Sequence, residues 1–285
     1  MPYLKVRNTS HYYEWVCADP GQRHSAKPVM VFIHGWGGSS RYWQSAAVAL
    51  SDRFDCLLYD LRGFGQSRLG ETDAPNLSQG SNQYELEAYA EDLVALLDQL
   101  HLDRVYLNAH SMGASIATFF LNFYPERVVQ AILTCSGLFE YDEQTFSQFH
   151  QFGRYVVQFR PRWLTKIPGM DRAFMARFLH RPIAGHLRRA FLEDFIMAEY
   201  EAALGTMLEA VSEKAATIMP DEFARLSVPT LLVSGEHDQI ITAEMGRQAA
   251  ALNPKVEYTV IPKTGHFPML EDPKTYLGKV RDFLS

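Results

Sequence analysis

Short apolar runs alternate along most of the chain with segments in which apolar residues recur at helical spacing. The apolar runs, continuous as in parallel strands buried on both faces, occupy residues 28–33, 54–59, 105–110, 128–135, 228–234 and 256–261. Helices are predicted between them at 41–50, 84–100, 112–124, 241–252 and 273–284. Strands that alternate with helices in this way predict the α/β class, with a parallel, doubly wound sheet.

Two further stretches lie outside this alternation. Tyr12 and Trp15 favour strand structure, so residues 3–17 are expected to form two short strands around a turn at Asn8. Residues 71–82 are polar and rich in turn-forming residues, which predicts a surface loop.

The alternation lapses between residues 137 and 222. This stretch is helical in pattern, rich in aromatic residues and interrupted by Pro161, Pro168 and Pro182. We interpret it as an insertion and not as a second wound half, because the strand pattern resumes only at 228–234.

The middle of the insertion is locally basic. Asp171 is the acidic residue in this part of the sequence. The cationic residues are Arg154, Arg160, Arg162, Lys166, Arg172, Arg177, Arg181, Arg188 and Arg189. The ordinary interpretation of such a run is a solvated face, and the alternative is contact with an anionic ligand or a membrane surface. The aromatic residues of the same stretch are expected to form the insertion's own core or to face the rest of the protein.

The composition narrows the class of protein. A chain of 285 residues with 47% hydrophobic residues can bury a sizeable core, and its formal net charge of -6 argues against nucleic-acid binding. We expect no membrane span, since the chain lacks a run of about 18 apolar residues. No apolar stretch follows Lys5 and Arg7, so we expect no signal peptide and a cytoplasmic protein, as a monomer or homodimer.

The cysteines give no sign of a disulfide framework or a zinc site. Cys17, Cys56 and Cys135 each lie in a strand-like apolar context, without the close spacing of a metal motif. We expect three free thiols, no metal and no cofactor.

The chain offers a candidate nucleophile at Ser111. A strand-like run ends at His110, and an alanine- and glycine-rich helix pattern begins at Met112. This sharp turn holds its central side chain above the sheet and points the first helical N–H groups at whatever that side chain attacks. A serine in such a place is often only a helix cap, so a base, an acid and an oxyanion hole are also required.

A glycine-rich loop, His34-Gly35-Trp36-Gly37-Gly38-Ser39, leaves the buried strand at 28–33. Such a loop can turn backbone N–H groups inward and supply one oxyanion donor, while the residue after the nucleophile supplies the other. We therefore predict that the N–H groups of Trp36 and Met112 form an oxyanion hole.

The base and the acid are predicted from the loops after later strands. Parallel strands present their carboxyl ends at one edge of a sheet, which brings Ser111, Asp238 and His266 together. The order Ser, Asp, His along the chain suits a triad in which His266 takes the Ser111 proton and Asp238 orients the imidazole.

Several other residues compete for these roles. His34, His110 and His237 are rival bases, but a residue adjacent to its partner along a strand points to the opposite face. The rival acids are Glu236 and Glu140. We prefer Asp238 because it lies deeper in the loop after its strand.

These motifs together resemble a serine hydrolase of the α/β-hydrolase superfamily over nearly the whole chain. The residues that carry the resemblance lie at 34–37, 60–67, 109–113, 235–238 and 265–268. Ala109 stands where the family's elbow usually has glycine, which affects local packing only. The serine at the elbow argues against haloalkane dehalogenases and epoxide hydrolases, which need an aspartate there.

The resemblance implies a mostly parallel, eight-stranded sheet flanked by helices, with a helical cap inserted after the sixth strand. On this basis residues 1–136 and 223–285 form the core domain, and residues 137–222 form the cap. It also implies a cofactor-free acyl-enzyme mechanism and a pocket between cap and sheet, where Trp36, His110 and Phe267 are candidates for substrate contact.

The expected reaction is hydrolysis of a carboxylic ester or thioester of a small-to-medium, apolar molecule. One alternative uses the same triad for carbon–carbon bond hydrolysis, lyase chemistry or cofactor-free peroxidation. Another is a ligand receptor or scaffold that keeps the fold without turnover.

Overall fold

The computed structural model describes residues 3–7, 9–19, 27–67 and 81–285. Eight strands form one sheet in the spatial order β1-β2-β4-β3-β5-β6-β7-β8. They are β1 (Tyr3–Val6), β2 (Thr9–Val16), β3 (Val29–Ile33), β4 (Asp55–Tyr59), β5 (Val105–His110), β6 (Val128–Thr134), β7 (Thr230–Gly235) and β8 (Val256–Ile261).

The sheet is parallel except at one edge. Strands β3 to β8 pair in parallel, whereas β1 pairs antiparallel with β2, and β2 pairs antiparallel with β4. The predicted α/β class and the mostly parallel, eight-stranded sheet are confirmed. All parallel strands therefore end at the same edge, where their following loops meet.

The helices cover both faces of the sheet. They are α1 (Gln44–Leu50), α2 (Leu86–Gln99), α3 (Met112–Phe123), α4 (Glu143–Gln158), α5 (Met170–Met175), α6 (Gly185–Met197), α7 (Tyr200–Ala210), α8 (Glu213–Ala224), α9 (Ala243–Ala251), α10 (Pro268–Glu271) and α11 (Pro273–Phe283). Successive residues of β3 alternate between two cores, with Val31 packed on the side of α2 and α3, and Phe32 on the side of α1 and α11. This two-sided burial explains why the strands are apolar without interruption.

Helices α4 to α8 follow β6 and precede β7, within the predicted insertion. A buried cluster centred on Leu192, Phe195 and Ile196 packs against Trp36, in the loop after β3. Asp194 of the same helix accepts hydrogen bonds from Ser39 Oγ at 2.6 Å and from Arg41 Nε at 3.3 Å. The insertion is thus held over the carboxyl edge of the sheet, and its assignment as a separate cap domain stays a prediction.

Two sequence interpretations near β4 have different outcomes. A pair between Asp60 and Arg62 is suggested by their spacing, but Arg62 instead forms an ion pair with Asp92 of α2, with 3.0 Å between Nε and Oδ2. Asp60 accepts from the backbone N–H groups of Ser40 and Gln66, both at 2.7 Å. The predicted surface loop at 71–82 lies almost wholly outside the described residues.

None of the helices in the described part of the chain is long and apolar enough to cross a membrane.

Candidate active site

Ser111 lies at the tip of a sharp turn between β5 and α3. Its backbone has φ 55° and ψ −125°, a conformation that is costly for a residue with a side chain. Its N–H donates to Thr134 O at 2.9 Å, which fixes the turn to the neighbouring strand β6. The helix must pack closely here, because a Cβ on Gly113 would lie 2.4 Å from the carbonyl oxygen of His34. Glycine at this position therefore permits the turn.

Ser111, His266 and Asp238 are brought together in a single hydrogen-bonded chain. The Ser111 Oγ is 3.0 Å from His266 Nε2, and His266 Nδ1 is 2.7 Å from Asp238 Oδ2. These distances join residues far apart in sequence and lie within hydrogen-bond reach of a nucleophile and its base. The relative positions expected from the sequence are those the structure has.

The carboxylate of Asp238 is buried but well supplied with donors. Its Oδ1 accepts from the N–H groups of Ile240 at 2.8 Å and Ile241 at 3.2 Å, while Oδ2 faces His266. Burial acts to raise the pKa of Asp238, but the charge and hydrogen bond of His266 and the two backbone donors outweigh it, so the pKa lies below its ordinary value. The group is therefore ionised at neutral pH.

The glycine-rich loop after β3 packs directly on the turn that holds Ser111. A Cβ on Gly35 would lie 3.1 Å from the Ser111 Cβ and 3.1 Å from His110 Nδ1. In the described residues, the backbone N–H groups of Trp36 and Met112 donate to no protein acceptor. Such donors are suited to an oxyanion, because no internal bond has to break when the charge develops.

A second chain of hydrogen bonds connects the glycine-rich loop to the backbone of His266 through Tyr42 and His110. The Gly35 N–H donates to Tyr42 Oη at 2.5 Å, Tyr42 Oη lies 3.0 Å from His110 Nδ1, and His110 Nε2 lies 2.7 Å from the His266 carbonyl oxygen. Since a carbonyl only accepts, His110 Nε2 carries the hydrogen and Nδ1 accepts from Tyr42. Burial, with His266 nearby, holds the pKa of His110 well below its ordinary value, so the ring is neutral.

This arrangement bears on the predicted substrate contacts. Both ring nitrogens of His110 are committed to protein groups, which leaves them unavailable to a substrate while these bonds persist. The Phe267 ring is 4.7 Å from the His110 ring and 4.5 Å from the Phe191 ring, so it belongs to a packed aromatic group. Trp36 is half-buried and donates through Nε1 to Ala203 O at 2.8 Å.

A buried carboxylate, Glu271, holds the His266 loop against the insertion. Its Oε1 accepts from the N–H groups of Gly265 at 2.9 Å and Phe267 at 3.3 Å, on either side of His266. Its Oε2 accepts from the N–H groups of His180 at 2.8 Å and Arg181 at 2.7 Å, in the insertion. One side chain therefore satisfies donors from two segments that meet at the site.

We expect Glu271→Gln to lower the free energy of unfolding by about 2–4 kcal/mol. The NH₂ group of the glutamine would replace a carboxylate oxygen that accepts from backbone N–H groups, and it cannot accept those hydrogen bonds. The displaced loop should also lower kcat/KM by roughly tenfold or more, since small misplacements of a base are costly. Urea unfolding measures the first effect, and hydrolytic turnover measures the second. Glu257, exposed on β8, supplies the control Glu257→Gln, and equal behaviour of both variants would refute the assigned role.

The rival residues are placed away from these roles. His34 Nε2 accepts from Leu61 N at 2.9 Å and His34 Nδ1 donates to Gly35 O at 2.8 Å, so both its nitrogens are engaged. His237 stacks on His180 with 4.0 Å between ring centroids, at the surface. Glu236 accepts from Lys263 N at 2.7 Å, and Glu140 is exposed. In the described chain, none of these side chains makes a hydrogen bond or a ring contact with Ser111 or His266.

One group of side chains near the site has the composition of a metal site. His110, Cys135 and His266 place ligand-type atoms within 4.8 Å of one another. The nitrogens of both histidines are already hydrogen-bonded, and burial together with the charge of Asp238 raises the pKa of the Cys135 thiol well above its ordinary value. Metal binding requires a thiolate and free imidazole nitrogens, so this group does not favour a metal.

Tyr42 and Glu271 are the residues near the site that the sequence did not indicate. In the sequence, Tyr42 falls in a predicted helix and Glu271 falls between predicted elements, where tyrosine and glutamate are unremarkable. In the structure Glu271 is the last residue of α10. Only the buried position of a carboxylate, here with 8% of its surface exposed, distinguishes Glu271 from a solvent-facing residue.

Comparison with known proteins identifies the family of the chain. The sequence profile described as the alpha/beta hydrolase fold matches residues 28–273. The chain therefore belongs to the α/β-hydrolase fold family, as the sequence motifs had indicated.

Individual relatives span nearly the whole molecule. An uncharacterised hydrolase of Bacillus subtilis is 24% identical, over 98% of this chain and 96% of its own. The solved structure of an esterase from Exiguobacterium antarcticum has a TM-score of 0.80 at 19% identity, covering 99% of both chains. An enol-lactonase from Burkholderia xenovorans has a TM-score of 0.77 at 22% identity, with the same coverage of both chains. At these identities the solved structures establish the shared fold.

Proposed function

We propose that the protein is a serine hydrolase that cleaves a carboxylic ester or thioester through an acyl-enzyme intermediate. The observation that carries this proposal is the continuous chain from Ser111 Oγ to His266 Nε2, at 3.0 Å, and from His266 Nδ1 to Asp238 Oδ2, at 2.7 Å. A serine held in a costly backbone conformation beside a base oriented by a buried carboxylate is suited to nucleophilic attack.

In the first half of the reaction, the Ser111 oxygen attacks the substrate carbonyl while His266 Nε2 accepts the hydroxyl proton. Asp238 stabilises the resulting imidazolium through Nδ1. The carbonyl oxygen becomes an oxyanion that the Trp36 and Met112 N–H groups would hold. His266 then gives its proton to the leaving alcohol or thiol, and the acyl group remains on Ser111.

In the second half, His266 removes a proton from water, and the hydroxide oxygen attacks the acyl carbon. The same N–H groups hold the second oxyanion, and Ser111 leaves with the proton carried by His266. The products are a carboxylic acid and free enzyme, and no cofactor takes part in any step.

The surroundings of Ser111 favour an apolar substrate. Aromatic rings lead from the insertion to the site: Phe174 is 4.9 Å from Phe195, which is 5.5 Å from Trp36, and Phe178 is 6.1 Å from His266. We propose that residues 137–222 act as a cap and that the substrate lies between this aromatic layer and Ser111. Burial of apolar groups would then supply most of the binding energy.

We expect kcat/KM for p-nitrophenyl butyrate to exceed that for p-nitrophenyl acetate by roughly tenfold, since each buried methylene contributes about 0.8 kcal/mol. p-Nitrophenyl methoxyacetate, which replaces one methylene of the butyrate by oxygen, is the matched polar control. Its rate is corrected for its faster hydrolysis by hydroxide. Equal corrected rates for the methoxyacetate and the butyrate would contradict an apolar acyl site.

One observation favours a second candidate, the hydrolysis of a carbon–carbon bond in a substrate that carries a carboxylate. Arg160 donates through Nε to Val157 O and through Nη1 to Phe195 O, both at 2.6 Å, and its guanidinium carbon is 5.3 Å from the Phe195 ring centroid. No ion pair of Arg160 is found in the described chain, and burial lowers its pKa. This cation lies beside the aromatic ring that packs on Trp36.

The two candidates differ in their response to Arg160→Gln. If a substrate carboxylate binds Arg160, the variant raises KM for p-nitrophenyl hydrogen succinate and leaves KM for p-nitrophenyl butyrate unchanged. Turnover of a dienoic diketone, followed by its absorbance, tests the carbon–carbon reaction itself. Ester turnover without diketone turnover supports the first candidate.

A further inference from the structure

Helix α4 has two apolar faces, of which only one is covered. Phe146, Gly153 and Val157 are buried against the protein. On the opposite side of the helix, Phe152 is 66% exposed and Tyr155 is 67% exposed. A helix whose role ended with packing on its own protein would carry polar residues on that side.

The exposed apolar residues continue beyond the end of this helix. Phe159 is 57% exposed and stacks on Tyr155, with 6.4 Å between ring centroids. The following 3-10 turn, Arg162–Lys166, adds Trp163, which is 53% exposed, and Ile167 comes next at 38%. Large apolar side chains thus reach solvent along a continuous stretch of chain.

The same region exposes cations for which the described residues show no ion pair. The structure divides the arginine and lysine residues at 154–189 into two groups. Arg160, Arg181 and Arg188 are half-buried and bond to backbone oxygens or carboxylates of the protein. The exposed group, for which no ion pair is found in the described chain, comprises Arg154, Arg162, Lys166, Arg172, Arg177 and Arg189.

A depression lined by residues 165–169 brings two of these cations together. Lys166 and Arg189 line it, with the polar Thr165 between Trp163 and Lys166 in sequence. The carboxylates that also line it, Asp171 and Glu193, are each within salt-bridge distance of an arginine, Arg188 and Arg41. Arg41 also bonds Asp194, so four cations lie against three carboxylates in and around the depression. The excess of positive charge makes it suited to an anionic group.

We propose that these residues form a surface that docks on an anionic lipid layer. We call it the aromatic–basic surface and define it by Phe149, Phe152, Tyr155, Phe159, Trp163 and Ile167, with the exposed cations of residues 154–189. Tryptophan, tyrosine and phenylalanine suit the boundary between headgroups and acyl chains. Arginine and lysine bind phosphate-bearing headgroups, and the protein's net charge of -6 makes a local cationic surface the part that approaches such a layer.

Charge disfavours a second copy of this chain as the occupant. In a symmetric dimer, the same patch faces itself, so Arg154, Arg162 and Lys166 would meet their own copies or each other. Asp171, the acidic residue within residues 144–192, is half-buried and paired with Arg188, and the neighbouring Glu193 is paired with Arg41, so neither carboxylate separates these charges. An anionic lipid layer supplies the opposite charge that a second copy lacks.

The docking surface adjoins the segment that covers Ser111 in our account. Leu164 and Met170 pack against the Phe195 cluster beside Trp36, and Phe178 O accepts from His266 N at 2.7 Å. Binding to a lipid layer would therefore place this segment near apolar molecules dissolved in it. The docking proposal itself does not depend on the catalytic assignment.

The test is co-sedimentation with vesicles of phosphatidylcholine, with or without phosphatidylglycerol. Wild-type protein is expected to bind the anionic vesicles and to be released by high salt. The charge variant Arg162→Glu/Lys166→Glu should weaken binding by roughly tenfold or more, because each basic residue near an anionic surface contributes about 1 kcal/mol. The aromatic variant Phe152→Ser/Trp163→Ser should weaken it to a similar extent.

Matched controls come from helices α11 and α3, which lie outside the aromatic–basic surface. Lys274→Glu/Lys279→Glu makes the same charge change on α11, and Phe123→Ser removes an exposed ring from α3. Both should bind vesicles as the wild type does. The proposal is overturned if the wild type binds neither kind of vesicle, or if control and surface variants bind alike. If sedimentation shows a dimer of the wild type that dissociates in the Arg162→Glu/Lys166→Glu variant, the occupant of the surface is a second copy of the chain. That result would overturn the lipid proposal as well.

Discussion

Replacing Ser111 with alanine is expected to lower kcat for p-nitrophenyl butyrate by roughly 10⁵-fold or more. Alanine removes the oxygen that lies 3.0 Å from His266 Nε2 and leaves no atom to form the acyl-enzyme. The remaining turnover would come from substrate binding and the oxyanion donors alone. Stopped-flow and long-incubation assays together cover this range.

Ser115→Ala is the matched control for this variant. Ser115 lies one helical turn after Ser111 in α3 and makes no contact with His266 in the described structure. Its loss should leave turnover unchanged. If Ser111→Ala hydrolyses the ester as fast as the control does, Ser111 is not the nucleophile.

Asp238→Asn is expected to lower kcat by roughly 10⁴-fold. The Ile240 and Ile241 N–H groups both point at Oδ1, so the amide oxygen of the asparagine would occupy that position. Its NH₂ group would then face His266 Nδ1 and force the ring hydrogen onto Nε2. A histidine in this tautomer cannot accept the Ser111 proton.

Glu236→Gln separates this effect from a general loss of negative charge nearby. Glu236 follows the same strand but bonds Lys263 N, at 2.7 Å, so its replacement should leave kcat unchanged. A large loss in Glu236→Gln, with activity retained in Asp238→Asn, would reverse the assignment of the acid.

The lowered pKa of Asp238 also predicts how its contribution to stability depends on pH. Because the folded protein holds the proton less tightly than the unfolded chain does, the ionised carboxylate favours folding above its unfolded pKa of about 3.9. That contribution is lost as the pH falls through the lower folded value. The difference in unfolding free energy between wild type and Asp238→Asn should thus be constant near neutral pH and shrink below about pH 4.

Much of the fold is encoded in local patterns. Strands buried on both faces are continuous apolar runs, and all six parallel strands were predicted within a few residues of their positions. The placement of Ser111, Asp238 and His266 followed from a simple rule, because each residue lies in the turn or loop that follows a strand and parallel strands end at one edge. The proximity of these three residues could be predicted without knowing how any side chain packs.

Contacts within the loops were not predictable in this way. The spacing of Asp60 and Arg62 suggests a pair between them. In the structure the loop turns toward α2, and Arg62 pairs with Asp92 of that helix. The bonds of Glu271 to His180 and Gly265 depend on how the insertion folds back, which helical periodicity does not determine. Periodicity also gave no basis for choosing which apolar face of α4 is covered.

The central claim, that Ser111 is a nucleophile activated by His266, is tested most directly by covalent labelling. Purified protein is treated with a fluorophosphonate and digested, and the modified peptide is identified by mass spectrometry. We expect a single adduct on Ser111 Oγ, absent in Ser111→Ala and formed far more slowly in Asp238→Asn. An absence of labelling, which is the result expected of a ligand receptor on this fold, would contradict the assignment of Ser111 as the nucleophile. An adduct on a residue other than Ser111 would also contradict it.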